Sequence, residues 1–203
     1  MKVGFIGSGN VARALGALLK SAGHDVAFGG RTSSDDGGVV AVANAVSGAD
    51  LVVLAVPFLA TRELLPALAG ALDGKLVVDA TNPVNADWSP MLLGQESSAG
   101  EEVARMLPGA RVVKAFNTVF ADVMRADRMT RAGQRVTCFV ASDHESAADA
   151  VAAIAQGAGF APHKVGPLKV ARHLEAMAHL NIQLAVGMKG GTNAAFVYHQ
   201  ATG

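Results

Sequence analysis

Lys2-Val3-Gly4-Phe5-Ile6-Gly7-Ser8-Gly9-Asn10-Val11-Ala12 decides the fold class. Lys2 to Gly7 is a short apolar run that ends in glycine, as a buried strand does. Asn10 to Ala22 is rich in Ala and Leu and stops at Gly23, a normal helix exit. Between strand and helix stands G-x-G-x-x-A. Gly7 permits the tight turn, Gly9 lets a pyrophosphate approach the backbone, and Ala12 keeps helix and strand close. Ser8, Asn10 and Val11 complete the loop. The helix N-terminus adds unpaired amides and partial positive charge. In this strand–turn–helix setting the pattern predicts a dinucleotide site.

Outward from that loop the alternation continues. Strands are expected at Asp25 to Gly29, Ala49 to Val56, Lys75 to Asp79, Arg111 to Phe116 and Arg135 to Ala141. Helical stretches lie between them, at Val39 to Val46, Thr61 to Leu72, Glu101 to Leu107 and Glu145 to Gln156. Ser98 and Glu101 have the spacing of a capping box. Short, continuously apolar strands alternating with helices predict an α/β fold, a doubly wound parallel sheet of the Rossmann-like kind. Residues 1–165 are read as the nucleotide-binding domain and 166–203 as a short C-terminal helical extension packed on it. The polar stretch from Asn82 to Gly100 is long for a loop, which marks it as functional.

Composition limits the function classes. The 203 residues are 51% hydrophobic and 17% charged, with 17 basic and 17 acidic side chains. Roughly 25% charged is usual, so this chain is apolar and globular. Zero net charge leaves no field to gather nucleic acid or an anionic membrane surface. No run approaches the roughly 20 apolar residues of a membrane span. The single Cys138 cannot form an internal disulfide, and the opening apolar run is too short for a signal peptide. A cytoplasmic setting is expected. The six histidines show no H-x-x-x-H pair and no Cys partner, so no metal site is expected.

The end of the second strand selects the nucleotide. An NAD site calls for a carboxylate about 20 residues on, to hold the ribose 2′-hydroxyl. Gly29-Gly30-Arg31-Thr32-Ser33 stands there instead, and no carboxylate appears before Asp35. Arg31 offers a planar, permanently charged fork, and Thr32 and Ser33 add hydroxyls. These groups suit a 2′-phosphate, and hence NADP. Further strand ends are expected to line the same crevice: Ala55-Val56-Pro57, then Asn82-Pro83, then Phe116-Asn117.

On these residues the chain resembles the NADPH-dependent reductases of the deazaflavin coenzyme F420, along essentially its full length. The resemblance rests on Gly7-Ser8-Gly9-Asn10-Val11, Gly30-Arg31-Thr32 and Val78-Asp79-Ala80-Thr81-Asn82-Pro83. It also rests on Ser98 to Val103, the run from Pro108 to Thr118, and Val165-Gly166-Pro167-Leu168. It implies an NADP(H)-dependent oxidoreductase, a homodimer, and nucleotide contacts from Ser8 to Val11, Gly30, Arg31 and the loops at Val56, Asn82 and Phe116. The implied hydride acceptor is a deazaflavin, or a flavin such as FAD or FMN, since a similar domain serves membrane metalloreductases that use FAD.

Two other readings compete. An imine or β-hydroxyacid dehydrogenase shares the glycine loop but carries a long all-helical second domain. Here only about one helix follows the last strand. A non-enzymatic NADP-binding sensor would use the same cleft without turnover. Hydride transfer to a deazaflavin or flavin is cofactor chemistry, so no catalytic residue is assigned. A carbonyl reductase needs a proton donor near the nicotinamide, and the only tyrosine, Tyr198, lies in the C-terminal tail. Cys138 is expected to be buried and inert. Trp88 is read as loop packing, with stacking on the acceptor as its functional alternative. In the C-terminal helix, read as Lys169 to Met188, Arg172, Glu175, His179 and Gln183 form a polar stripe. Val170, Leu174, Met177, Leu184 and Met188 lie opposite, with Asn181 among them. A helix apolar nearly all round needs cover on more than one side. A second chain is the expected cover, and a tail folded back through Phe196 and Tyr198 the alternative.

Overall fold

The computed structural model describes residues 1–32, 38–93 and 96–201. Strand β1 (Lys2–Ile6) leads into helix α1 (Asn10–Ser21), then β2 (Asp25–Gly30). A three-residue edge strand β3 (Val39–Ala41) precedes α2 (Val42–Ser47). β4 (Leu51–Leu54), α3 (Phe58–Leu72), β5 (Leu76–Asp79), α4 (Ala99–Met106) and β6 (Arg111–Ala115) follow. A small hairpin, β7 (Thr130–Arg131) and β8 (Gln134–Arg135), sits before β9 (Thr137–Ala141). The chain closes with α5 (Glu145–Gly157), β10 (Ala161–Gly166) and α6 (Ala171–Ile182), which runs into a π turn over Gln183–Gly187.

The main sheet has the order β10-β9-β6-β5-β4-β1-β2-β3. From β6 to β3 every pairing is parallel, with Ile6 opposite Gly29 on one side and Leu54 on the other. The expected doubly wound parallel sheet is present, with an antiparallel departure at one edge. β9 pairs antiparallel with β6, and β10 pairs parallel with β9, so the last two strands run against the rest. Between β6 and β9 stand only short turns and the β7–β8 hairpin, with no crossover helix, so the chain enters β9 at the end where it left β6 and runs back antiparallel. β10 escaped the sequence reading because Ala161-Pro162-His163-Lys164 is half polar, as an edge strand allows.

Both faces of the sheet are covered, and strand residues alternate between them. Val3, Phe5, Leu51, Val53, Val78 and Val113 pack with α1 and α5. Ile6, Val52, Leu54, Val77 and Val112 pack with α2, α3 and α4. A fully buried side chain of this size contributes about 1.5–3 kcal/mol, so the two faces hold the sheet rigid beneath its loops. The strand order reverses between β1 and β4, and there the loops of an open α/β sheet part to form a crevice.

Candidate functional site

The turn after β1 is built from two glycines with different duties. Gly7 has φ +123°, and a Cβ there would meet the Ala55 carbonyl at 2.3 Å, so the fold itself demands glycine. Gly9 has an ordinary extended backbone, φ −76° and ψ −171°, and a Cβ there would meet nothing within 4 Å. The fold places no demand on Gly9, and the space over the loop is open to a ligand. The N-terminus of α1 points the same way. Gly9 caps it without a side-chain bond, and no acidic residue stands in its first turn. By contrast, α4 is capped by Ser98, carries Glu101 and Glu102 in its first turn, and receives the Glu175 carboxylate on its amides. Of these two helix starts, α1 is the one without an anion.

Two cavities flank this turn. One, of about 340 Å³, is lined by Gly7, Ser8, Gly30, Arg31, Val56 and Pro57, with Glu63 at its edge. The other, of about 320 Å³, is lined by Asn10, Val11, Asn82, Phe116 and Asn117 together with Trp88, Phe120, Asp122, Asn181, Ile182 and Thr192. Gly9 stands exposed between them. An extended dinucleotide fits this arrangement, with Arg31 at one end and the asparagines at the other. Arg13 braces the loop: its Nε donates to the Ser8 carbonyl at 3.3 Å and its guanidinium lies 4.5 Å from the Phe28 ring centre.

Not every expected residue lines these cavities. Ala12 is fully buried in α1, where it brings helix and strand together. Ala55 acts through its backbone, accepting the close approach of Gly7. Thr32 is exposed beside the first cavity, and Ser33 lies outside the described residues, as does Asp35. Pro83 is buried and faces a different hollow, between its own loop and α6, where its carbonyl meets His179 Nε2 at 3.0 Å.

The second cavity rests on a polar lock. Asn82 Nδ2 donates to the Asn117 carbonyl at 2.7 Å, and Asn117 Nδ2 donates back to Asn82 Oδ1 at 3.0 Å and to the Leu174 carbonyl at 3.1 Å. Asn117 Oδ1 is buried and has no partner among the described residues. A buried acceptor without a donor is costly, and a carboxamide N–H would satisfy it. Beneath the lock, Lys114 Nζ is fully buried between Asp79 (2.9 Å) and Glu175 (2.8 Å), and it also donates to the Thr81 carbonyl at 2.7 Å. Burial alone pushes the Lys114 ammonium down, but the two carboxylates outweigh it and hold it above the ordinary lysine range. Glu175 therefore corrects the polar-stripe reading of α6. It points inward at 4% exposure and pins α6 to β6 and to the N-terminus of α4. Asn181 is buried within its own chain, donating to the Thr118 carbonyl at 3.3 Å.

Phe120, Asp122, Asn181, Ile182 and Thr192 were missed as cavity residues. They come from chain segments far from the glycine loop, and only packing brings them there. Cys138 is buried, and burial pushes its thiol up to about 12, which makes it inert at neutral pH. Among the described residues there is no cluster of three or more His, Cys, Asp or Glu that could hold a metal. Among the described residues no helix is long and apolar enough to cross a membrane.

The family model for coenzyme F420-dependent NADP oxidoreductases matches residues 2–83. An F420-dependent NADP reductase of Methanothermobacter thermautotrophicus is 30% identical over 86% of this chain and 74% of its own length. The chain belongs to that family. As a member of it, the protein is an NADP-dependent oxidoreductase. The solved structure of a putative F420-dependent NADP reductase from Arthrobacter superposes with a TM-score of 0.87 at 28% identity, covering 98% of this chain and all of that one. The metalloreductase STEAP3 of Rattus norvegicus is 33% identical over 87% of this chain, which spans 36% of that longer protein.

Proposed function

We propose that this F420-family oxidoreductase binds NADPH across the two cavities and passes hydride to a deazaflavin ring held in the second. Gly7, Ser8, Gly9, Asn10 and Val11 take the pyrophosphate, with Ala12 setting the spacing. Arg31 takes the 2′-phosphate, helped by Thr32 and Ser33, and Ala55, Val56 and Pro57 line the adenosine end. Asn82, Phe116 and Asn117 hold the nicotinamide end, with Pro83 fixing the loop. When bound, NADPH supplies two electrons and a proton as hydride, and solvent supplies the second proton that completes reduction of the ring. The chain's own residues bind, orient and exclude water. Residues 1–165 carry the nucleotide, and 166–203 wall the acceptor side. The protein works as a cytoplasmic homodimer.

One observation carries the choice of reaction. Asp122 is the sole titratable side chain lining the second cavity among the described residues, and it accepts a hydrogen bond from the Thr192 hydroxyl. No Tyr, Lys or His stands there to protonate a carbonyl oxygen, whereas hydride transfer between rings needs none. The test follows NADPH oxidation by absorbance with F420, FAD, FMN and small carbonyls offered in parallel. Turnover with F420 supports the reading, and turnover with FAD or FMN extends it. Oxidation by a carbonyl alone would return the dehydrogenase reading. Binding of NADPH without turnover would make the chain a sensor.

A further inference from the structure

Trp88 lines the second cavity beside Asn82, and only half of it is covered: the residue is 50% exposed. Its backbone is also strained. Trp88 has φ +68°, a left-handed conformation that a bulky side chain disfavours and that glycine adopts freely. The surrounding turn enforces it. Val84 and Pro90 bridge antiparallel, the Asn85 amide donates to the Ser89 carbonyl at 2.9 Å, and the Trp88 amide donates to the Asn85 carbonyl at 3.0 Å. Asp87 Oδ1 accepts from both the amide (3.0 Å) and the hydroxyl (2.6 Å) of Ser89, and those bonds hold its carboxyl below the usual carboxylate range. A tight, well-bonded turn thus holds the chain's only tryptophan in an unfavourable conformation at a cavity wall, half in water. Strain kept while half of the residue stays in water points to function.

The other aromatic groups of that cavity are committed elsewhere or less open. Phe116 is 3% exposed and meets Phe160 edge-on at 5.4 Å between ring centres. Phe120 packs partly against the core. The indole of Trp88 is the open π surface there. We infer that Trp88 is the stacking platform for the acceptor, setting a preference for flat conjugated rings over small carbonyl compounds. The inference rests on the proposed hydride transfer to a ring acceptor and adds a residue that selects that acceptor. Its role is binding and orientation. Offset stacking on an indole is favourable for a tricyclic ring and offers little to a small carbonyl.

Because Trp88 is the only tryptophan, its fluorescence reports on that one place. The experiment titrates F420 into the NADP⁺-loaded protein, with free tryptophan as the optical control, and measures turnover alongside. Saturable quenching of Trp88 is expected over the range in which F420 saturates the rate. In Trp88→Gly the KM for F420 should rise about tenfold. Its NADPH affinity by calorimetry should be unchanged, and its Tm equal to or above wild type, because glycine relieves the φ. Trp88→Phe should recover most of the KM. Turnover without quenching, or a wild-type KM in Trp88→Gly, overturns the inference and leaves the hydride reading standing. A fall in Tm together with a loss of NADPH affinity makes Trp88 structural and also overturns it. Quenching without turnover supports the stacking role and sinks the hydride reading. Absence of both sinks the two together.

Discussion

Gly9→Val separates a turn that serves the fold from a turn that serves a ligand. The backbone at Gly9 is one any residue adopts, and the space over it is open. The variant should therefore fold with an unchanged melting temperature while its branched side chain blocks the approach to the α1 amides. Titration calorimetry should detect no NADPH binding, and retained binding would make the loop a plain turn. Arg31→Ala tests the other end. Loss of a charge-assisted bond should weaken NADPH by about 10- to 150-fold and leave NADH nearly unchanged. Equal losses for both would assign Arg31 to folding. At this scale the cavity wall was legible where the pattern is local, since Gly7, Ser8, Gly30 and Arg31 line one cavity together. It was not legible at Asn181, Ile182 or Thr192, which stand about 170 to 180 residues from Asn10 and Val11 and reach the cavity only through α6 and the tail.

Among the elements, α6 shows how a helical wheel misleads. Glu175 falls on the wheel beside Arg172 and His179, so pattern alone places it in water. Lys114 on β6 changes that, because a buried ammonium draws two carboxylates inward, and the wheel carries no information about a strand behind the helix. Arg172, by contrast, stays near the surface and pairs with Glu101 at 2.7 Å. Lys114→Met should cost about 3–5 kcal/mol, since it leaves Asp79 and Glu175 buried and unpaired. A urea midpoint shifted down with an unchanged m value would show it, and a shift under about 1 kcal/mol would refute it. The pH dependence has a definite sign. The folded-state lysine is raised above its unfolded value of about 10.4, so its contribution is complete below that pH. It is lost as pH rises through the higher folded value. Wild-type stability should show this alkaline decline, and Lys114→Met should lack it.

For the whole molecule, the proposed homodimer depends on what covers the outer face of α6. The tail does not cover it. The Phe196 carbonyl accepts from the Thr137 amide, and Tyr198 packs on His163 and Phe139 at 5.0 and 6.5 Å, so the tail lies along β9 and β10 instead. Leu180, Leu184, Val186 and Met188 are left 41–67% exposed, running along the end of α6 and the π turn after it. Large exposed apolar side chains close together at one end of a helix mark an interaction surface. A twofold axis sets the same face against itself, so each chain supplies the cover the other lacks. Asn181 plays no part across such an interface, since its bond lies within the chain. Light scattering at low micromolar concentration should give the mass of two chains, and the mass of one chain would end the proposal. Leu184→Asp should then yield monomers with unchanged circular dichroism. Leu184 is already 45% exposed within one chain, so the new carboxylate is tolerated there and becomes an unpaired buried charge only when two chains meet.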